Sequence, residues 1–167
     1  MYHRFNESKY PSTDIQMDIF MDHIQLIKDL NYEFIHSEDF IKKFNVPKKQ
    51  KKILLTIDDA FQSFYEAAWP FLRKNKIPFI LFVSTEPIGN KGYMTWDQIR
   101  EIEKESFATI GHHSHSHEYL IDKNDQEFIN DTEIASRLFN KELGYVPSLF
   151  SYPFGEYSEF MRNYVSN

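Results

Sequence analysis

Asp58 and Asp59 stand side by side at the end of an apolar run, and four histidines fall within the six residues His112 to His117. Paired carboxylates can supply a general base and an anionic ligand, while neutral imidazoles are the commonest protein ligands for zinc and similar ions. One carboxylate and two imidazoles make a three-ligand site with an open position for water, whose pKa a bound ion lowers from 15.7 to about 7. The chemistry these residue types suit is metal-assisted hydrolysis. His113 and His117 are spaced four apart, so that on a helical turn both would project from one face. Two plainer uses stand beside this one. Asp59 could cap a helix starting near Phe61, and the histidines could form a solvated polar loop.

The elements that must position these residues are strands. Asp58 and Asp59 follow Ile53-Leu54-Leu55-Thr56-Ile57, and the histidines follow Phe107-Ala108-Thr109-Ile110-Gly111, both of which read as buried strands. Both clusters then sit at C-terminal strand ends, the edge of an α/β sheet or barrel where ligands bind. Adjacent residues at a strand end point in different directions, so one acid can ligate while its neighbour faces water or substrate. Further strands are predicted over Tyr32 to Ile35, Pro78 to Ser84 and Pro147 to Tyr152. Helices are predicted over Ile15 to Leu30, Ser37 to Phe44, Phe61 to Lys74, Thr95 to Lys104 and Asp125 to Leu143, with Thr95 as an N-cap and Gly144 as a C-terminal stop. The alternation favours a parallel α/β arrangement.

The motifs resemble those of the polysaccharide deacetylase family, carbohydrate esterase family four. Its Thr-Phe-Asp-Asp-Gly is matched by Thr56-Ile57-Asp58-Asp59-Ala60, its His-Ser/Thr-x-x-His by His113-Ser114-His115-Ser116-His117, and its Arg-x-Pro-Tyr/Phe-Gly by Ser151-Tyr152-Pro153-Phe154-Gly155. The resemblance implies Asp58 as general base, Asp59, His113 and His117 as metal ligands, and the backbone amide of Phe154 as oxyanion donor. It leaves His112 and His115 outside the ligand set. Trp96, Tyr152 and Pro153 are the expected substrate contacts, with Trp96 forming a wall of the cleft. Zinc is the first choice of divalent ion, with iron, cobalt or nickel compatible with the same donors. Two residues depart from the pattern. Ala60 replaces a glycine, which requires a backbone of negative φ there, and Ser151 stands where an arginine usually orients the base.

The fold implied is a partial or distorted (β/α) barrel, and the activity is removal of N-acetyl groups from an acetylated amino-sugar glycan. Tyr2-His3-Arg4-Phe5 and Met94-Thr95-Trp96 resemble the subgroup acting on poly-β-1,6-N-acetylglucosamine. Two later family motifs, an acetyl-pocket aspartate with an aromatic and a Leu-x-His that supplies a general acid, have no counterpart in Glu156 to Asn167. The expectation is a single incomplete domain over residues 1–167, truncated at the C-terminus and at the N-terminus. Without the acid, worth about 100- to 10,000-fold, the fragment would be slow or inactive. A glycan-binding domain that has lost turnover and a hydrolase of another amide are the alternatives.

Composition sets outer bounds. A hydrophobic content of 41% over 167 residues is enough for one core, and no stretch reaches the ~18 to 20 apolar residues of a membrane span. The net charge of −6 argues against a nucleic-acid partner. The basic run from Lys48 to Lys52 reads as a solvated linker. With no cysteine there is neither a disulfide framework nor thiol chemistry. No signal peptide is visible, although the family is mostly extracytoplasmic or envelope-associated. The expected partner is an acetylated amino-sugar glycan.

Overall fold

A computed structural model describes residues 1–42 and 51–166. Its centre is a parallel three-stranded sheet formed by β5 (Thr56–Asp58), β6 (Phe79–Val83) and β7 (Ala108–His112), in that order. All five residues of β6, Phe79-Ile80-Leu81-Phe82-Val83, are buried. A central parallel strand is covered on both faces, so it carries an unbroken apolar run. Isolated parallel bridges extend the sheet at each side, Tyr2 to Ile57 and Phe150 to His112. Two short parallel pairs complete the strands: β1 (Arg4–Phe5) with β2 (Asp14–Ile15), and β3 (Glu33–Phe34) with β4 (Lys52–Ile53).

Six α-helices accompany the strands among the described residues: α1 (Met17–Asp29), α2 (Ser37–Lys42), α3 (Trp69–Asn75), α4 (Trp96–Glu103), α5 (Asp125–Leu143) and α6 (Glu159–Val165). Side chains close free amides at the starts of α4, α5 and α6. Thr95 and Gln98 form a reciprocal capping box on α4, as Asn124 and Glu127 do on α5. Gly144, at φ 84°, ends α5 in the left-handed conformation that glycine adopts without a Cβ penalty. Phe20 and Ile24 of α1, Leu72 of α3, Ile99 and Ile102 of α4 and Phe139 of α5 are buried with Phe79, Leu81 and Val83 of β6 in one core. Each such side chain contributes about 1.5 to 3 kcal/mol on removal from water. None of the helices among the described residues is long and apolar enough to cross a membrane.

Several boundaries differ from expectation for local reasons. The strand predicted over Ile53 to Ile57 divides into β4 and β5, because β4 pairs with β3 and β5 pairs with β6. Ile15 belongs to β2, and α1 starts two residues later, where Asn6 Oδ1 accepts the Met17 amide at 2.9 Å. The helix predicted over Phe61 to Lys74 begins with a widened turn at Phe64–Ala68, in which the Trp69 amide donates to the Phe64 carbonyl five residues back. Pro70 follows and has no amide proton to continue the normal ladder. The Pro147 to Tyr152 segment forms only the single bridge at Phe150. The final turns of the helix predicted over Ser37 to Phe44, beyond Lys42, and Lys48 and Lys49 of the basic run lie outside the described residues.

Candidate metal centre

Asp58 is the last residue of β5, and its amide donates to the Tyr2 carbonyl at 2.9 Å. The chain then turns through two left-handed residues, Asp59 at φ 73° and Ala60 at φ 53°. The expected negative φ at Ala60 is therefore incorrect. An L-residue there costs about 1 to 2 kcal/mol, and the fully buried Ala60 methyl recovers about 0.8 kcal/mol of it. Asp59 does not cap a helix. Its Oδ1 lies 3.0 Å from His117 Nε2 and 3.4 Å from His113 Nε2. The three ligand atoms lie within 4.8 Å of one another, a group that could hold a metal ion.

The histidine loop follows β7 directly, as the sequence implied, but contains no helical turn. It is tied down by its neighbours instead. Ser84 donates its hydroxyl to the His113 carbonyl at 2.7 Å, and the Glu86 amide donates to the His115 carbonyl at 3.0 Å. Asp131 of α5 accepts the amides of His115 and Ser116 at 2.8 and 2.9 Å. His117 takes φ 55°, with its amide on Ser114 Oγ at 3.1 Å. Its ring lies 4.9 Å from the His113 ring, centroid to centroid.

One hydrogen bond fixes what this group needs. His113 Nδ1 is 2.8 Å from the Ser151 carbonyl. A carbonyl only accepts, so Nδ1 carries a proton, and in the neutral form of the ring the bare Nε2 is the nitrogen that faces Asp59 Oδ1. Two acceptors then face each other in a buried place, and Asp59 Oδ1 has no hydrogen bond of good geometry. A cation between them resolves the conflict, and two imidazoles with one carboxylate are the donor set of an open zinc-type site. The residues therefore fit a divalent ion.

The neighbouring carboxylates have opposite electrostatics. Burial pushes Asp58 above the ordinary carboxylate range and Asp59 adds to this, while His113 and His3 oppose it. Burial also works to raise Asp59, but His113 and His117 outweigh it and hold this carboxyl well below its ordinary value. For His117 burial works downwards, and Asp59 overcomes it to leave the imidazole raised. Tyr93 is raised first by burial and then by the Asp59 charge, which marks it as a neighbour of the site. Asp58 Oδ1 is buried without a hydrogen-bond partner.

The remaining predicted residues fall in three places. Phe154, at φ 60°, sets its ring 5.0 Å from that of His117 and is largely exposed. It sits in a tight turn with buried Pro153, closed by the Gly155 amide on the Tyr152 carbonyl at 2.9 Å. The Tyr152 ring stacks on Tyr157 at 4.8 Å and meets Phe150 at 5.0 Å. Trp96 is partly buried against the core, edge-on to Phe139 at 5.8 Å. Ser151 serves the site through its carbonyl, not its side chain. Sequence reasoning missed His3, Asp131 and Tyr93. The neighbouring match at Tyr2-His3 pointed to the first; no spacing rule links Asp131 or Tyr93 to the motifs. A groove of about 1170 Å³ runs from Tyr93 past Arg4 and Tyr10 to Met17, Met21 and Pro70, and none of the four central residues lines it.

Parallel strands whose C-terminal ends gather an Asp-His-His group that could hold a metal ion make this an α/β protein with a candidate metal centre at its sheet edge. Residues 45–167 match the family model for polysaccharide deacetylase, and the chain belongs to that family. It is 25% identical over 161 residues to the Bacillus subtilis protein YxkH, covering 95% of this chain and 57% of that one. It is 24% identical over 168 residues to the poly-beta-1,6-N-acetyl-D-glucosamine N-deacetylase of Staphylococcus aureus, covering 90% and 57%. The chain thus spans a little over half the length of these curated relatives. The solved structure of IcaB from Ammonifex degensii superposes with a TM-score of 0.87 at 24% identity, covering 99% of this chain and 77% of that one, and shows the shared fold.

Proposed function

We propose that this chain is a metal-dependent N-deacetylase acting on an N-acetylglucosamine polymer. The observation that carries the proposal is the buried encounter of His113 Nε2 with Asp59 Oδ1, 3.4 Å apart and joined by His117, beside a second carboxylate with a raised pKa. The substrate class follows from family membership and from the activity in the name of the Staphylococcus aureus relative.

Asp59, His113 and His117 would hold the ion, zinc in the first instance, which when bound supplies Lewis-acid polarisation and an acidified water. Asp58 is the general base. Its carboxyl, whose pKa burial raises, removes a proton from the attacking water as oxygen adds to the acetamide carbonyl carbon. The Phe154 amide, in its left-handed turn, donates to the oxyanion that forms. The carbon–nitrogen bond then breaks, and the departing nitrogen takes a proton to leave acetate and a free amine. His3 is our choice of proton donor, because the bridge between Tyr2 and Ile57 brings it beside Asp58 and its charge acts on that carboxylate.

Metal content tests the site. Purified wild type should hold one tightly bound divalent ion per chain, and Asp59→Ala or His113→Ala should lose it while the fold is kept. A wild type that takes up no ion on reconstitution would remove the basis of the proposal.

A further inference from the structure

Each of the four residues from Ser114 to His117 gives its backbone amide to a side-chain acceptor. Ser114 donates to His112 Nδ1 at 3.1 Å, His115 and Ser116 donate to Asp131, and His117 donates to Ser114 Oγ. This series replaces the helical turn that the four-residue spacing would otherwise need. It starts at His112, whose ring is buried between Phe150, stacked at 4.9 Å, and Phe139 at 5.1 Å.

We propose that His112, which is not a ligand, is a positioning residue for the metal centre: its unprotonated Nδ1 holds the Ser114 amide and through Ser114 sets the place of His117. An amide N–H only donates, so His112 Nδ1 must be bare and the ring proton sits on Nε2, which is buried without a hydrogen bond of good geometry. Ser114 is fully buried and held at φ 66°, a left-handed conformation that a non-glycine residue keeps only when its surroundings impose it. From there its hydroxyl reaches the His117 amide, and His117 Nε2 reaches Asp59. Losing the first acceptor releases Ser114 and lets His117 drift from the other two ligands. Residues that orient metal ligands in this way typically govern affinity by about 10- to 100-fold.

The inference rests on Asp59, His113 and His117 binding an ion, and the test separates the two claims. Nitrogen NMR of the metal-free chain should show His112 protonated on Nε2 at neutral pH. Cobalt(II) is then titrated into wild type, His112→Phe and His112→Asn, following its visible spectrum. His112→Phe keeps an aromatic ring between Phe139 and Phe150 but has no acceptor, and should bind about 10- to 100-fold more weakly with an altered spectrum. His112→Asn offers a carbonyl acceptor and should recover most of the loss. A proton on Nδ1 overturns the proposal, as does cobalt binding by His112→Phe equal to wild type. Equal loss in both folded variants assigns the effect to packing and also overturns it. If His112→Phe fails to fold, the tautomer and the His112→Asn titration decide. Wild type that binds no cobalt would overturn the metal site itself, leaving the tautomer result standing.

Discussion

Asp58 and Asp59 are consecutive residues whose surroundings drive them apart: burial lifts the first, and two imidazoles hold the second down. Such a divergence is how one site obtains both a base and a permanently charged ligand. Proton delivery is assigned to His3, so His3→Gln should lower the turnover rate about 100-fold or more while metal content is unchanged; an unchanged rate would exclude it. The raised pKa of His117 gives a pH signature in the metal-free chain. A histidine raised above 6.5 by Asp59 stabilises the fold fully below that value, and the contribution disappears as pH climbs through the raised value. The melting temperature of metal-free protein should therefore fall over that window, and less steeply in His117→Gln. The grouping of Asp59, His113 and His117 was legible from residue type, from their place after two strands and from the motifs they resemble, although the helical turn expected from the four-residue spacing is absent. Asp131 was not, since it reaches the loop from α5, and His3 was marked only by the short match at Tyr2-His3, its approach to Asp58 depending on the bridge between Tyr2 and Ile57. Ala60 shows the limit of substitution rules, because its buried methyl offsets part of a backbone cost that the sequence argument took as forbidding.

At the level of elements, the site depends on β5, β6 and β7 ending together. The register places Asp58 opposite Phe82 and Val83 opposite His112, so both motifs leave the sheet at one edge. Gly111 makes that register possible, because a Cβ there would run into the Phe82 ring and crowd Ile80. Gly111→Ala should destabilise the chain by about 1 to 3 kcal/mol, read as a lower urea midpoint with weaker metal binding; a neutral outcome would mean that the Phe82 ring yields freely. The sheet strands were legible from their apolar runs, and α4 and α5 from their caps. The two-residue pairs β1 with β2 and β3 with β4 were not, since so short a stretch has no periodicity. The turn before Pro70 widens through the geometry of a missing amide, which changes the ladder but leaves the apolar pattern as it was.

For the whole molecule, the α/β class followed from alternating segments, and the family from three motifs in order. What composition could not supply is the convergence itself: the Phe150 bridge to His112 brings the Ser151 carbonyl onto His113 and the Phe154 turn onto His117. Those contacts turn three separate strand ends into one centre, and the proposed chemistry needs all three. Acetate release from a soluble N-acetylglucosamine oligomer tests this most directly, with zinc-loaded chain compared with chelated, reloaded and Asp58→Asn protein. The account predicts acetate and free amine in equal amounts, lost on chelation and restored on reloading, and at least about 100-fold slower release in Asp58→Asn with zinc still bound. Zinc-loaded protein that binds the oligomer and releases no acetate, or an Asp58→Asn variant as fast as wild type, would contradict it.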